Sequence, residues 1–121
     1  MIHVTEIAFS AYPVTDLARA RAFYEGVLGL QPTLMANPQW VEYEIGPHTL
    51  GIGCAPGWNP NPDGGSVGLE VEDFDAAIAH LREAGVKFRV EPFPTPVCHM
   101  AVVSDPDGNS LLIHRRHPAP A

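Results

Sequence analysis

Apolar residues along this chain change period in a fixed order, and the order occurs twice. Residues 3–12 alternate loosely, with Val4, Ile7, Phe9 and Tyr12 as the apolar positions, and read as a strand that Pro13 ends. Leu17, Ala20, Phe23, Tyr24, Val27 and Leu28 then recur in steps of three and four, giving one apolar stripe on a helix from about Leu17 to Leu28. Asp16 stands where an N-cap belongs and Gly29 where a left-handed C-terminal residue belongs. Three strand-like runs follow: Leu34-Met35, Trp40–Ile45 and Thr49–Cys54, the middle one alternating apolar with acidic residues. From Ser66 the same order returns. It predicts a strand over Ser66–Val71, a helix over Phe74–Ala84 behind Asp73, and strands over Val86–Val90, Val97–Ser104 and Ser110–His114.

Between the copies lies Ala55–Gly65, which has no periodicity and is rich in glycine, proline and asparagine, so it reads as a linker. Asp105-Pro106-Asp107-Gly108-Asn109 reads as a tight turn. The pattern predicts βαβββ twice, module 1 over about 3–54 and module 2 over about 66–116, in one α+β domain of mainly antiparallel sheet. Half of 121 residues buries too little surface to fold well alone, so the seam between halves is the natural ground for a site.

Composition narrows the function classes. A net charge of −7 excludes the basic surface that nucleic acids and anionic membranes require. No apolar run approaches membrane length. The first residues lack a basic segment and an apolar core, so a cytoplasmic protein is expected. Cys54 and Cys98 form no CxxC pair and read as free thiols. There is no phosphate loop, GxSxG or HExxH.

The run Val14-x-Asp16-Leu17-Ala18-Arg19-Ala20-x-x-Phe23-Tyr24-x-x-x-Leu28-Gly29-Leu30, with Asp105-Pro106-Asp107-Gly108-Asn109 before a final strand, resembles the glyoxalase/bleomycin-resistance/extradiol-dioxygenase superfamily, also called vicinal oxygen chelate proteins. The resemblance spans residues 3–116. It implies two modules whose sheets curl around a cup-shaped cavity for a small molecule, commonly in a homodimer and in many members with a divalent metal. The fold serves isomerases, dioxygenases and antibiotic-binding proteins alike, so function must come from the site.

In metal-using relatives such as glyoxalase I, four ligands face the cup. One lies on the first strand of each half, seven residues before the helix-opening Asp, which here falls on Phe9 and Ser66. Another lies on each last strand, here Gly51 or Gly53 and Leu112. None of these supplies the imidazole or carboxylate such a cation needs. The expectation is therefore a site with no metal and no other cofactor, lined for an apolar or aromatic ligand by Phe9, Trp40, Tyr43, Trp58, Ser66, Phe93 and Leu112. His114 shares the parity of Leu112 and is either a half-exposed strand end or a functional group at the cup mouth. With His99 on the neighbouring strand it could form a displaced metal site or a proton-transfer pair, which keeps open a metal-dependent lyase, isomerase or dioxygenase.

Overall fold

A computed structural model describes residue 3 and residues 5–118, with the side chains of Ala36 and Asn37 excepted. The chain divides into two compact units, Met1–Pro60 and Asn61–Ala121, with the division inside the glycine- and proline-rich segment. Each unit carries one four-stranded mixed sheet and one helical segment, an α+β fold of two βαβββ modules.

Unit 1 contains β1 (Ser10–Pro13), α1 (Leu17–Arg21), β2 (Pro32–Asn37), β3 (Trp40–Ile45) and β4 (His48–Gly53). The sheet order is β1-β4-β3-β2, with β1 parallel to β4 and the other pairs antiparallel. The strand expected over residues 3–12 is much shorter: residues 5–9 are irregular, and Val4 lies outside the described residues. Pro13 does not end the strand before it but is paired with Gly53 as its last residue, which a strand edge tolerates because proline lacks only the donor.

Asp16 caps α1, its carboxylate accepting from the Arg19 N–H at 3.1 Å. Beyond Arg21 the helix widens into a π-helical stretch, Ala22–Val27, with Leu28 N–H donating five residues back to the Phe23 carbonyl. A sequence stripe of threes and fours does not announce this change. The wider turn brings the adjacent Phe23 and Tyr24 both into the core, 6% and 0% exposed. Tyr24 stacks on Tyr43 of β3 at 6.2 Å and lies 6.5 Å from Tyr12 of β1.

Unit 2 repeats the plan with β5 (Val67–Glu70), α2 (Phe74–Glu83), β6 (Phe88–Pro94), β7 (Cys98–Ser104) and β8 (Ser110–Arg116), in sheet order β5-β8-β7-β6. Asp73 caps α2 by accepting from the Ala76 N–H at 3.0 Å. Gly29 and Gly85 follow the two helical segments at φ of 75° and 74°, where a side chain would be strained. Pro92 and Pro94, beyond the strand expected over Val86–Val90, lie within β6, an edge strand that need not donate on its outer side. Ile78 and Leu81 of α2 are buried, as are Ala101, Val103, Leu111 and Ile113 of the sheet. Each of the valine, leucine and isoleucine side chains removed from water contributes roughly 1.5–3 kcal/mol.

The repetition extends to irregularities. β2 shifts register against β3 between Pro32, Leu34 and Asn37, and β6 shifts against β7 between Phe88, Val90 and Phe93, in the same steps. Among the described residues no helix is long and apolar enough to cross a membrane.

A partly buried network ties helix to sheet in unit 1. Arg21 Nε donates to Glu25 Oε2 at 2.7 Å, and the Tyr43 hydroxyl donates to the same oxygen at 2.9 Å. The Arg21 hydrogen bond holds the Glu25 carboxyl below its usual range against the opposing effect of burial. Burial, then the Glu25 carboxylate, pushes the Tyr43 hydroxyl well above its usual range. A depressed acid contributes stability that is present above its unfolded pKa and lost as pH falls through the folded value. A raised phenol contributes stability that is complete below its unfolded value near ~10 and lost as pH rises past it. Melting temperature followed from neutral to alkaline pH should therefore decline above about 10, and Tyr43→Phe should make that decline shallower. An unchanged alkaline limb in Tyr43→Phe would exclude Tyr43 as its source.

Candidate functional site

Side chains on a strand alternate between faces, so β3 sorts its own residues. Val41 and Tyr43 point toward the helix and are 1% and 0% exposed. Trp40 and Glu42 point away from it and are half-buried. Tyr43, expected to touch ligand, is thus a core residue. It lies three positions from Trp40, an odd step that puts the two on opposite faces.

On the face away from the helix, the Trp40 indole lies over Gly51 and Gly53 of β4. A Cβ built on Gly51 would sit 2.4 Å from Trp40 Cζ2, and one on Gly53 2.6 Å from Cε3. The register explains this: Trp40 is opposite Gly53, and Glu42 is opposite Gly51. Trp40 Nε1 donates to Glu42 Oε2 at 2.8 Å, which fixes the ring plane. Phe9 meets the indole edge-on at 5.7 Å, and Trp58 stacks on it at 6.4 Å. Phe9 lies just outside β1 rather than on it, and remains 53% exposed; Trp58 is 36% exposed. Three of the seven expected ligand residues thus form one aromatic cluster with accessible ring surface.

In unit 2 the corresponding face carries Met100, Val102 and Ser104 opposite His114, Leu112 and Ser110. Ser66 and Leu112 line one cleft of about 290 Å³, together with Val90, Val102, Ser110 and Arg89. Phe93 lies opposite Met100 on β6 and is 37% exposed. Arg89 was not anticipated from sequence. Phe88 pairs with Val103 and Val90 with Val102, so Arg89 is the extra residue of a bulge, and simple alternation fails there.

His114 and His99 do not come together. His114 is opposite Met100, whereas His99 is opposite Arg115, and that single-residue offset puts the two imidazoles on opposite faces of the sheet. The shared metal site or proton-transfer pair expected from them is therefore corrected. His114 Nδ1 instead meets Glu70 Oε1 at 2.5 Å. Glu70 also accepts from the Arg116 N–H at 2.8 Å, and that bond, then His114, holds its carboxyl below the usual range. His99 Nδ1 lies 2.9 Å from His117 Nε2, beside a separate cleft of about 630 Å³ at the start of α2 with Glu72, Phe74 and Asp75. Cys98 is buried with its sulfur 3.0 Å from Thr95 Oγ1 and is a packed thiol.

The residues present do not fit a divalent metal. Phe9 and Leu112 offer hydrocarbon, the Gly51 and Gly53 positions are covered by indole, and Ser66 offers only a hydroxyl. Among the described residues no three His, Cys, Asp or Glu side chains gather where an ion could be held.

Comparison with known proteins agrees with the architecture. The chain resembles the crystal structure of a glyoxalase family protein from Bacillus anthracis, with 19% identity, TM-score 0.81, and 97% of this chain and 99% of that one covered. It resembles TnmS3, an antibiotic binding protein from Streptomyces sp. CB03234, with 24% identity, TM-score 0.76, and 97% and 100% covered. It also resembles a lactoylglutathione lyase from Agrobacterium tumefaciens, with 20% identity, TM-score 0.75, and 93% and 95% covered. No curated protein matches the chain. The family model described as Glyoxalase/Bleomycin resistance protein/Dioxygenase superfamily matches residues 2–113, nearly the whole chain, and with the paired βαβββ sheets this establishes that the protein belongs to that superfamily.

Proposed function

We propose that this protein binds a small apolar or aromatic molecule without a metal, as a binding protein rather than a metalloenzyme. The observation that carries the reading is the Trp40 indole laid across Gly51 and Gly53, with Phe9 and Trp58 against it. Where metal-using relatives need a donor side chain, this chain has aromatic surface. Such surface gives large contact area at little entropic cost and stacks on planar ligands. The likeness to an antibiotic binding protein is in keeping with this reading. The same proposal takes the working form to be a cytoplasmic homodimer.

Both tryptophans of the chain, Trp40 and Trp58, belong to the cluster, so intrinsic fluorescence reports on it selectively. Titration with planar aromatic compounds should quench or shift that emission. Thermal shift should rise with ligand, by about 2.7 kcal/mol of stabilisation at a hundredfold excess over Kd. Elemental analysis of the purified protein should find no stoichiometric zinc, nickel, manganese or iron. One tightly held metal per chain, restored after chelation, would overturn the reading.

A second reading rests on His114 and Glu70. A carboxylate bonded to Nδ1 orients an imidazole so that Nε2 can exchange a proton with a ligand, and His114 shares its face with Leu112. This describes metal-free proton transfer. If turnover of a bound compound is found, His114→Ala should abolish it; turnover that survives the substitution ends this version.

A further inference from the structure

Among the described residues Arg89 is the one charged side chain lining the 290 Å³ cleft of unit 2. On a chain of net charge −7, a guanidinium held in such a cleft is a local exception. Its position is built rather than incidental. Nη1 donates to the Pro62 carbonyl at 2.6 Å and to Ser110 Oγ at 2.5 Å, and Ser110 Oγ itself donates to that carbonyl at 2.8 Å. Two elements far apart in sequence thus clamp one edge of the guanidinium fork. Nη2 makes a longer contact, 3.4 Å to Asp63 Oδ1, and that carboxylate is 83% exposed. An exposed ion pair at that distance is weak and exchanges readily with another anion. Beside the guanidinium, Val90, Val102 and Leu112 supply an apolar wall to a cleft that is otherwise polar, and Ser66 adds a hydroxyl.

We infer that this cleft takes an organic acid with an apolar or aromatic body, whose anionic group replaces Asp63 on Arg89 while its body lies against Val90, Val102 and Leu112. The inference goes beyond the binding proposed at the Trp40 cluster of unit 1, because the Arg89 cleft belongs to unit 2 and is argued from its own lining. A planar guanidinium matches a carboxylate with two parallel hydrogen bonds, so it distinguishes an acid from its neutral isostere. A void of about 150 Å³ holds benzene, so this cleft has room for one ring with its acid group. Asp63 then acts as a resident substitute for the ligand's own carboxylate.

Benzoate and benzamide, compared by isothermal titration calorimetry at neutral pH, separate charge from shape. Benzoate should bind the wild-type protein about tenfold more tightly than benzamide, and Arg89→Gln should erase that difference. Asp63→Asn removes the competitor and should tighten benzoate about two- to fivefold while leaving benzamide unchanged. Equal affinities in the wild type, no benzoate binding at millimolar concentration, or a preference that survives Arg89→Gln would each overturn the inference. Should Arg89→Gln fail to fold, unchanged benzoate affinity in Asp63→Asn overturns it instead. Acetate separates the two parts of this inference. Acetate binding as tightly as benzoate, in an Arg89-dependent way, would uphold the anion contact and sink the requirement for an apolar body. Tryptophan quenching by neutral aromatics without any benzoate preference would leave the Trp40 reading standing and overturn this one.

Discussion

Asp105→Ala is expected to destabilise the protein by about 3–5 kcal/mol, a large share of the roughly 5–15 kcal/mol that holds a domain folded. The carboxylate sits in the turn between β7 and β8 and is 4% exposed. Oδ1 accepts from the Asp107 N–H at 3.0 Å and the Asn109 N–H at 2.8 Å, while Oδ2 accepts from Asn109 Nδ2 at 2.9 Å. Asn109 is itself 1% exposed, so removing the acceptor leaves its donors with little access to water. The turn also depends on Gly108 N–H donating to the Asp105 carbonyl at 3.0 Å, and it fixes the register of Ser104 opposite Ser110. Asp105→Asn keeps one acceptor oxygen and should cost about half as much. Urea denaturation followed by circular dichroism gives both values. A loss under about 1 kcal/mol in Asp105→Ala would show that the turn holds without its carboxylate.

Gly51→Ala is expected to displace the Trp40 indole and to cost about 1–3 kcal/mol by overpacking. The added Cβ would lie 2.4 Å from Cζ2 and 2.5 Å from Cη2, distances that real atoms do not share. The neighbour is the far end of a side chain, so the ring rather than the backbone yields. It then breaks its hydrogen bond to Glu42 and its stacking on Trp58. Tryptophan emission should shift, and binding of any aromatic ligand that uses the cluster should weaken about tenfold. Trp40→Ala should weaken ligand to the same degree, yet make Gly51→Ala almost neutral for stability. That non-additivity, measured in a double-mutant cycle, identifies the clash as the cause. Equal costs of Gly51→Ala in the presence and absence of Trp40 would refute it.

Much of the architecture is legible in the chain because its signals are local. Asp16 and Asp73 mark helix starts by offering an oxygen to an unpaired N–H, and Gly29 and Gly85 mark the ends by allowing positive φ. Parity would also have separated Tyr43 from Trp40, and His99 from His114, once the strand pairing was fixed. What was not legible depends on irregular hydrogen bonding. The π-helical stretch from Ala22 to Val27 contains good α-helix residues, and only its packing against Tyr43 and Tyr12 distinguishes it. Arg89 reads as one more polar residue on a strand until the bulge between Phe88 and Val90 is known. The three-residue relation among Trp40, Gly51 and Gly53 is likewise invisible without cross-strand register.

The indole resting on two glycines also constrains how this protein could diverge. A histidine or glutamate at position 51 or 53 forces the indole from its place while tryptophan stays at 40, because the space is already taken. A smaller residue at 40 arising first leaves an empty floor: neither stacking platform nor chelating side chain. Passage between an indole-covered floor and one with donor side chains at 51 and 53, in either direction, therefore crosses a step with neither arrangement intact, and these three positions should change in concert or stay as they are.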